Sequence, residues 1–175
     1  MSICITGTGS YIPEIIKKNK DFLDNIFLNS DGTNFKVSNE VIIKKFQAIT
    51  GIEERRYAKS NYNSSDLAFF AAKNAINDSK INQENLDYII VAHNFGDIKH
   101  GTKQFDQLPS LASRVKNKLG INNPNCVCYD LIFGCPGWIE GVIQAQAFIK
   151  AGMAKKCLVI GAETLSRTYD TSDRD

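Results

Sequence analysis

Between residues 64 and 162 the apolar positions recur with helical and strand-like spacing in turn. Ser64, Ser65 and Asp66, with hydroxyls that can accept from the first free amides of a helix, precede Leu67, Phe70, Ala71, Ala75 and Ile76 at helical spacing. A helix to about Ser79 is predicted. Residues 86–92 are a short unbroken apolar run, the pattern of a strand covered on both faces. Pro109 suits the start of a second helix that ends at Leu119 with Gly120 behind it. Residues 126–133 read as another buried strand, residues 137–151 as a third helix and residues 156–162 as the strand after it. The third helix carries Trp138, Ile139, Gly141, Val142, Ala145, Ala147, Phe148 and Ile149 nearly all round, so it calls for a layer on each side.

The N-terminal third is less regular. Residues 2–8 read as a first strand, stopped by Gly7, Gly9 and Pro13. Residues 14–50 keep no clear period beyond a turn at Asp31-Gly32 and a short helix over residues 40–47, and they read as an insertion in a single domain spanning 1–175. Strands that alternate with helices imply βαβ units, a parallel sheet and right-handed crossovers. The predicted class is α/β.

Composition removes several functions. Twenty-one Lys and Arg stand against 19 Asp and Glu, for a net charge of +2 with no block of one sign, so nucleic acid is not an expected partner. Hydrophobic residues make up 43% and charged residues 23%, which are globular proportions, and no apolar run approaches the roughly 20 residues of a membrane span. No membrane association is expected. The chain opens on Ile3-Cys4-Ile5-Thr6 without a basic start and an apolar stretch, which predicts a cytoplasmic location. Five cysteines, an odd number scattered over positions 4, 126, 128, 135 and 157, read as reduced thiols.

Gly134-Cys135-Pro136-Gly137-Trp138 is the sharpest local feature, a cysteine at the joint between a buried strand and a buried helix. The free amides and the positive end of the helix dipole favour a thiolate at Cys135 and so a nucleophile. Gly134 and Gly137 would leave room for a substrate against the backbone. The alternative is a cysteine that fills space in the core. Cys126 and Cys128 point to one face of a strand and are expected to pack there rather than hold zinc, and no metal site is predicted. Gly7-Thr8-Gly9-Ser10-Tyr11-Ile12 lacks the third glycine and the following helix of a dinucleotide loop. His93 and His100 flank a polar loop, where packing or surface roles are expected ahead of acid-base catalysis. Arg55 and Arg56 fit either a solvated face or a phosphate clamp.

These residues together resemble the thiolase-fold condensing enzymes, and among them the β-ketoacyl-acyl carrier protein synthase III group. The resemblance rests on residues 5–13, on Thr50-Gly51-Ile52 with Arg55-Arg56, and on Pro109-Ser110 with Leu119-Gly120-Ile121. It continues through Cys135-Pro136-Gly137-Trp138 to Gly161-Ala162-Glu163-Thr164-Leu165-Ser166-Arg167 and Asp173-Arg174. It implies the N-terminal half of a thiolase-like fold, with a mixed, mostly parallel five-stranded sheet and helices on both faces. Cys135 would be the nucleophile that takes an acyl group as a thioester and joins it to a malonyl unit by decarboxylative condensation. Its backbone amide would help hold the oxyanion, and Arg174 and Trp138 would bind substrate. No cofactor is implied beyond acyl-coenzyme A or acyl carrier protein thioesters as substrates.

The implied partners are acyl carrier protein, acyl-coenzyme A, and either a second copy in a homodimer or a C-terminal thiolase half. That second half carries the family's catalytic His and Asn, whose positions match neither His93 nor His100. Lys45 and Ile49 stand where the family has an aromatic and a basic residue gripping coenzyme A. This points to a donor presented on carrier protein or to rearranged coenzyme A contacts. Loop 94–108 is longer than the family's. A non-catalytic thiolase-like subunit with a structural cysteine is the competing expectation.

Overall fold

In chain order the elements are β1 (Ile15–Lys18), α1 (Asn39–Thr50), β2 (Glu54–Tyr57), α2 (Ser64–Ser79), β3 (Tyr88–His93), β4 (Asp97–Ile98), β5 (Phe105–Asp106), α3 (Leu111–Leu119), β6 (Val127–Ile132), α4 (Gly137–Lys150) and β7 (Cys157–Gly161), with three short 3-10 turns. They come from a computed structural model that describes residues 2–169 and residue 172. The chain divides into two compact units, Met1–Ile12 with Ser60–Thr164 and Pro13–Lys59 with Leu165–Asp175.

The larger unit is built on a three-stranded parallel sheet in the order β6-β3-β7. Ile89, Ile90 and Val91 of the central strand are fully buried, as the unbroken apolar run requires. Ile89 and Val91 face α2 and α3, whose Ala68, Ala72, Ile76, Leu111, Ala112 and Val115 complete the main core with Leu158 and Ile160 of β7. On the opposite face α4 lies against Ile90 and Val159. Helices therefore cover both faces. β4 and β5 form a small antiparallel hairpin in the loop that leaves β3.

Five strands are expected in one sheet, and three are found in it among the described residues. Residues 2–8 enter no sheet. Their segment runs against α2 instead: the Thr8 amide donates to the Asp78 carboxylate, and the Asn74 side chain donates to the Ser10 carbonyl. A Cβ at Gly7 would stand 2.5 Å from the Ser79 nitrogen, and one at Gly9 would collide with the Ala75 nitrogen. Those glycines serve close approach to a helix rather than the end of a strand.

The smaller unit contains the irregular stretch. β1 pairs antiparallel with β2. α1 is longer than its apolar pattern suggests because Gly51, at φ +69°, closes it by donating to the Gln47 carbonyl. The Arg55 guanidinium lies between the Phe22 and Phe46 rings, at 5.1 and 4.8 Å from their centroids, and donates to Asn19 Oδ1 at 2.8 Å. Arg55 thus has a structural role, while Arg56 pairs with Glu54 on the surface.

Candidate active site

β6, the turn after it and α4 together set the position of Cys135. Gly134 has φ +86°, a conformation that favours glycine, and the Gly137 amide donates back to the Gly134 carbonyl at 3.0 Å. Pro136 is the cap residue before α4, and the Glu140 amide donates to its carbonyl. A Cβ at Gly137 would lie 3.2 Å from Ala92 Cβ. Close packing of helix on strand, rather than space for a substrate, is therefore what Gly137 provides. The turn stands at the carboxyl end of a parallel sheet, where open α/β folds bind ligands.

Cys135 is exposed, so it does not fill core space. Cys126 is buried, and Cys126 and Cys128 both pack into the main core beside α3. Burial pushes the Cys126 thiol up, and it drives Cys128 up to about 12 and Cys157 up to about 11. Trp138, next along α4, is half-exposed. Its Nε1 donates to the Val159 carbonyl at 3.3 Å, and its base lies against Gly161. The fold brings Trp138 and Cys135 to the same helix start. Arg174 lies outside the described residues.

His93 ends the central strand with its side chain fully buried. Its Nδ1 accepts from the Gly96 amide at 3.0 Å, and its Nε2 meets Asp130 Oδ2 at 3.0 Å. Asp130 also accepts from the Leu111 and Ala112 amides, so one carboxylate caps α3 and holds the histidine. A packing role for His93 fits this geometry, and His100 stands exposed in the hairpin loop. Sequence reasoning passed over Asp130. Its signal was present as a lone carboxylate inside an apolar strand, a position that demands partners.

The long loop is also anchored. Asp97 is buried and accepts from the Ser65 amide and hydroxyl, and Arg114 donates to both Asp97 and Asp106. Glu163, just past β7, accepts from the Asn94 amide. Among the described residues no group of three or more His, Cys, Asp or Glu side chains is placed to hold a metal ion. No helix among them is long and apolar enough to cross a membrane.

The site is thus a cysteine turn between the edge strand of a parallel sheet and an apolar helix, in an α/β fold whose solved neighbours are thiolase-like. Residues 129–175 match the family model described as 3-oxoacyl-[acyl-carrier-protein (ACP)] synthase III. The chain is 40% identical over 170 residues to β-ketoacyl-[acyl-carrier-protein] synthase III 1 of Vibrio cholerae, a match that spans 97% of this chain and 46% of that protein. The corresponding synthase of Neisseria gonorrhoeae is also 40% identical with the same coverage. Among solved structures, the synthase III of Thermus thermophilus superposes with a TM-score of 0.75 at 35% identity, over 97% of this chain and 46% of the other. That of Aquifex aeolicus does so with a TM-score of 0.75 at 34% identity, over 97% and 47%. Over nearly its whole length the chain is similar to the N-terminal half of β-ketoacyl-[acyl-carrier-protein] synthase III. It spans about half the length of the curated relatives it matches.

Proposed function

We propose that this chain carries the nucleophile half of an acyltransferase of fatty-acid or related acyl-chain biosynthesis. The Cys135 thiolate attacks the carbonyl carbon of an acyl thioester. Negative charge gathers on the carbonyl oxygen, and the Cys135 backbone N–H is the donor assigned to it. Collapse of this intermediate breaks the bond to the donor sulfur, which leaves as a thiolate and takes up a proton. Cys135 is then acylated. Decarboxylation of a malonyl thioester supplies an enolate whose carbon attacks that acyl carbon and releases Cys135. Trp138 and Arg174 are assigned to substrate.

The observation that carries this reading is the exposure of Cys135 in a glycine turn at the carboxyl end of the sheet, where the packed cysteines of β6 and β7 are not. The exposed apolar residues Trp138, Ile139 and Ile143 of α4 support a further covering layer, from a second copy or from a C-terminal thiolase half. A cytoplasmic setting suits a reaction that needs a reduced thiol.

Lys45 and Ile49 are both exposed on α1, four residues apart and so on one side of it. They replace the aromatic and basic residues expected to grip coenzyme A, which favours a donor carried on acyl carrier protein. Self-acylation is to be measured with matched acyl-coenzyme A and acyl-carrier thioesters. Faster labelling from the carrier is expected, and a clear preference for coenzyme A would overturn the assignment of donor.

A further inference from the structure

We propose that His93 and Asp130 form a positioning pair for Cys135, fixing where its thiol and backbone N–H stand beyond the end of β6. The proposal rests on the acyl-transfer reading above. Because the Gly96 amide points at Nδ1, the histidine proton sits on Nε2 and is donated to Asp130. Asp130 in turn accepts from two amides at the start of α3, at 2.7 and 2.8 Å. The buried pair is fully bonded, which is the condition for placing such polar groups in a core.

Its place in the ladder gives the pair its reach. Asp130 lies on the nucleophile strand, five residues before Cys135, and His93 paired with Ile132 is the last step of the β3–β6 register. Successive strand residues face opposite sides. Ala92 accordingly supports Gly137 at the start of α4, while His93 on the other face holds Asp130 and α3. The end of β3 is therefore a common support for both sides of the cysteine turn. A shift there displaces the oxyanion donor, and a misplacement of about 1 Å can cost roughly 100-fold in rate.

The test compares two reactions of Cys135 in the full chain. Acyl transfer needs the backbone donor in place, whereas alkylation by iodoacetamide needs only an accessible thiolate. His93→Leu removes the donor to Asp130, and Asp130→Asn turns an amide NH₂ towards helix N–H groups. Each is expected to slow acyl transfer about 10- to 100-fold while leaving alkylation within about twofold. His93→Gln keeps an N–H at a similar reach and should recover part of the loss. Circular dichroism checks folding, and if His93→Leu fails to fold, the other two variants carry the comparison. Acyl transfer that is unchanged, or that falls in step with alkylation, overturns the positioning role alone. A wild-type chain that takes no acyl group from either donor overturns the acyltransferase reading and this proposal with it.

Discussion

At the scale of single residues, the five thiols differ by environment more than by sequence. Cys135 and Cys4 are exposed, while burial holds Cys126, Cys128 and Cys157 protonated. Iodoacetamide mapping at pH 8 should therefore label Cys135 and Cys4 and leave the other three unmodified. Comparable labelling of Cys128 would show that β6 is not packed as described. The turn itself depends on Gly134. Gly134→Ala places a side chain at φ +86° and should lower stability by about 1–2 kcal/mol, read as a fall in Tm. The break between β6 and α4 at Cys135 was legible because Gly134, Pro136 and Gly137 interrupt the strand and open the helix there. Asp130 was harder to read, since its partners lie 18, 19 and 37 residues away and only the fold brings them to it.

Among the elements, α4 shows how small residues determine packing. A Cβ at Gly141 would meet Val159 Cγ1 at 2.8 Å and Ile90 Cγ2 at 3.6 Å, so the helix sits as close to the sheet as glycine permits. Gly141→Val should destabilise the fold by about 1–3 kcal/mol through overpacking, measurable as a lower urea midpoint. A neutral effect would mean that α4 is not seated on β3 and β7. Apolar period together with the cap, proline and glycine signals located α2, β3, α3, β6, α4 and β7 to within about two residues, because each buries a continuous face. It misread residues 2–8, where an apolar run flanked by glycines lies along α2 rather than in a ladder. The start of α2 was found for an incomplete reason. Asp66 accepts from the Asn63 amide, while the Ser64 and Ser65 hydroxyls turn to Thr164 and Asp97.

For the whole molecule, the buried thiols make stability depend on alkaline pH. Cys128 and Cys157 keep their protons in the folded chain to about 12 and about 11, above an ordinary value of 9.0. Their contribution is complete below about pH 9 and is lost as pH rises towards those values, because the unfolded chain releases the protons first. The urea midpoint should fall between pH 8 and pH 11, and less so in a Cys128→Ala, Cys157→Ala variant. An equal fall in both proteins would contradict the assignment. The α/β class followed from alternating periods, and the similarity to synthase III from motifs spread over nearly the whole chain. The number of strands in the sheet did not follow, because residues 2–8 lie against α2 and β1 and β2 pair only with each other.

The role proposed for Cys135 is to accept an acyl group as a thioester. Intact mass spectrometry of the 175-residue chain after incubation with an acyl thioester tests it most directly. A mass increase of one acyl group is expected, mapping to the peptide bearing Cys135, released by neutral hydroxylamine and absent in Cys135→Ala. An acyl adduct on Cys4 or a lysine instead, or a Cys135→Ala chain that labels as fast as wild type, would contradict it.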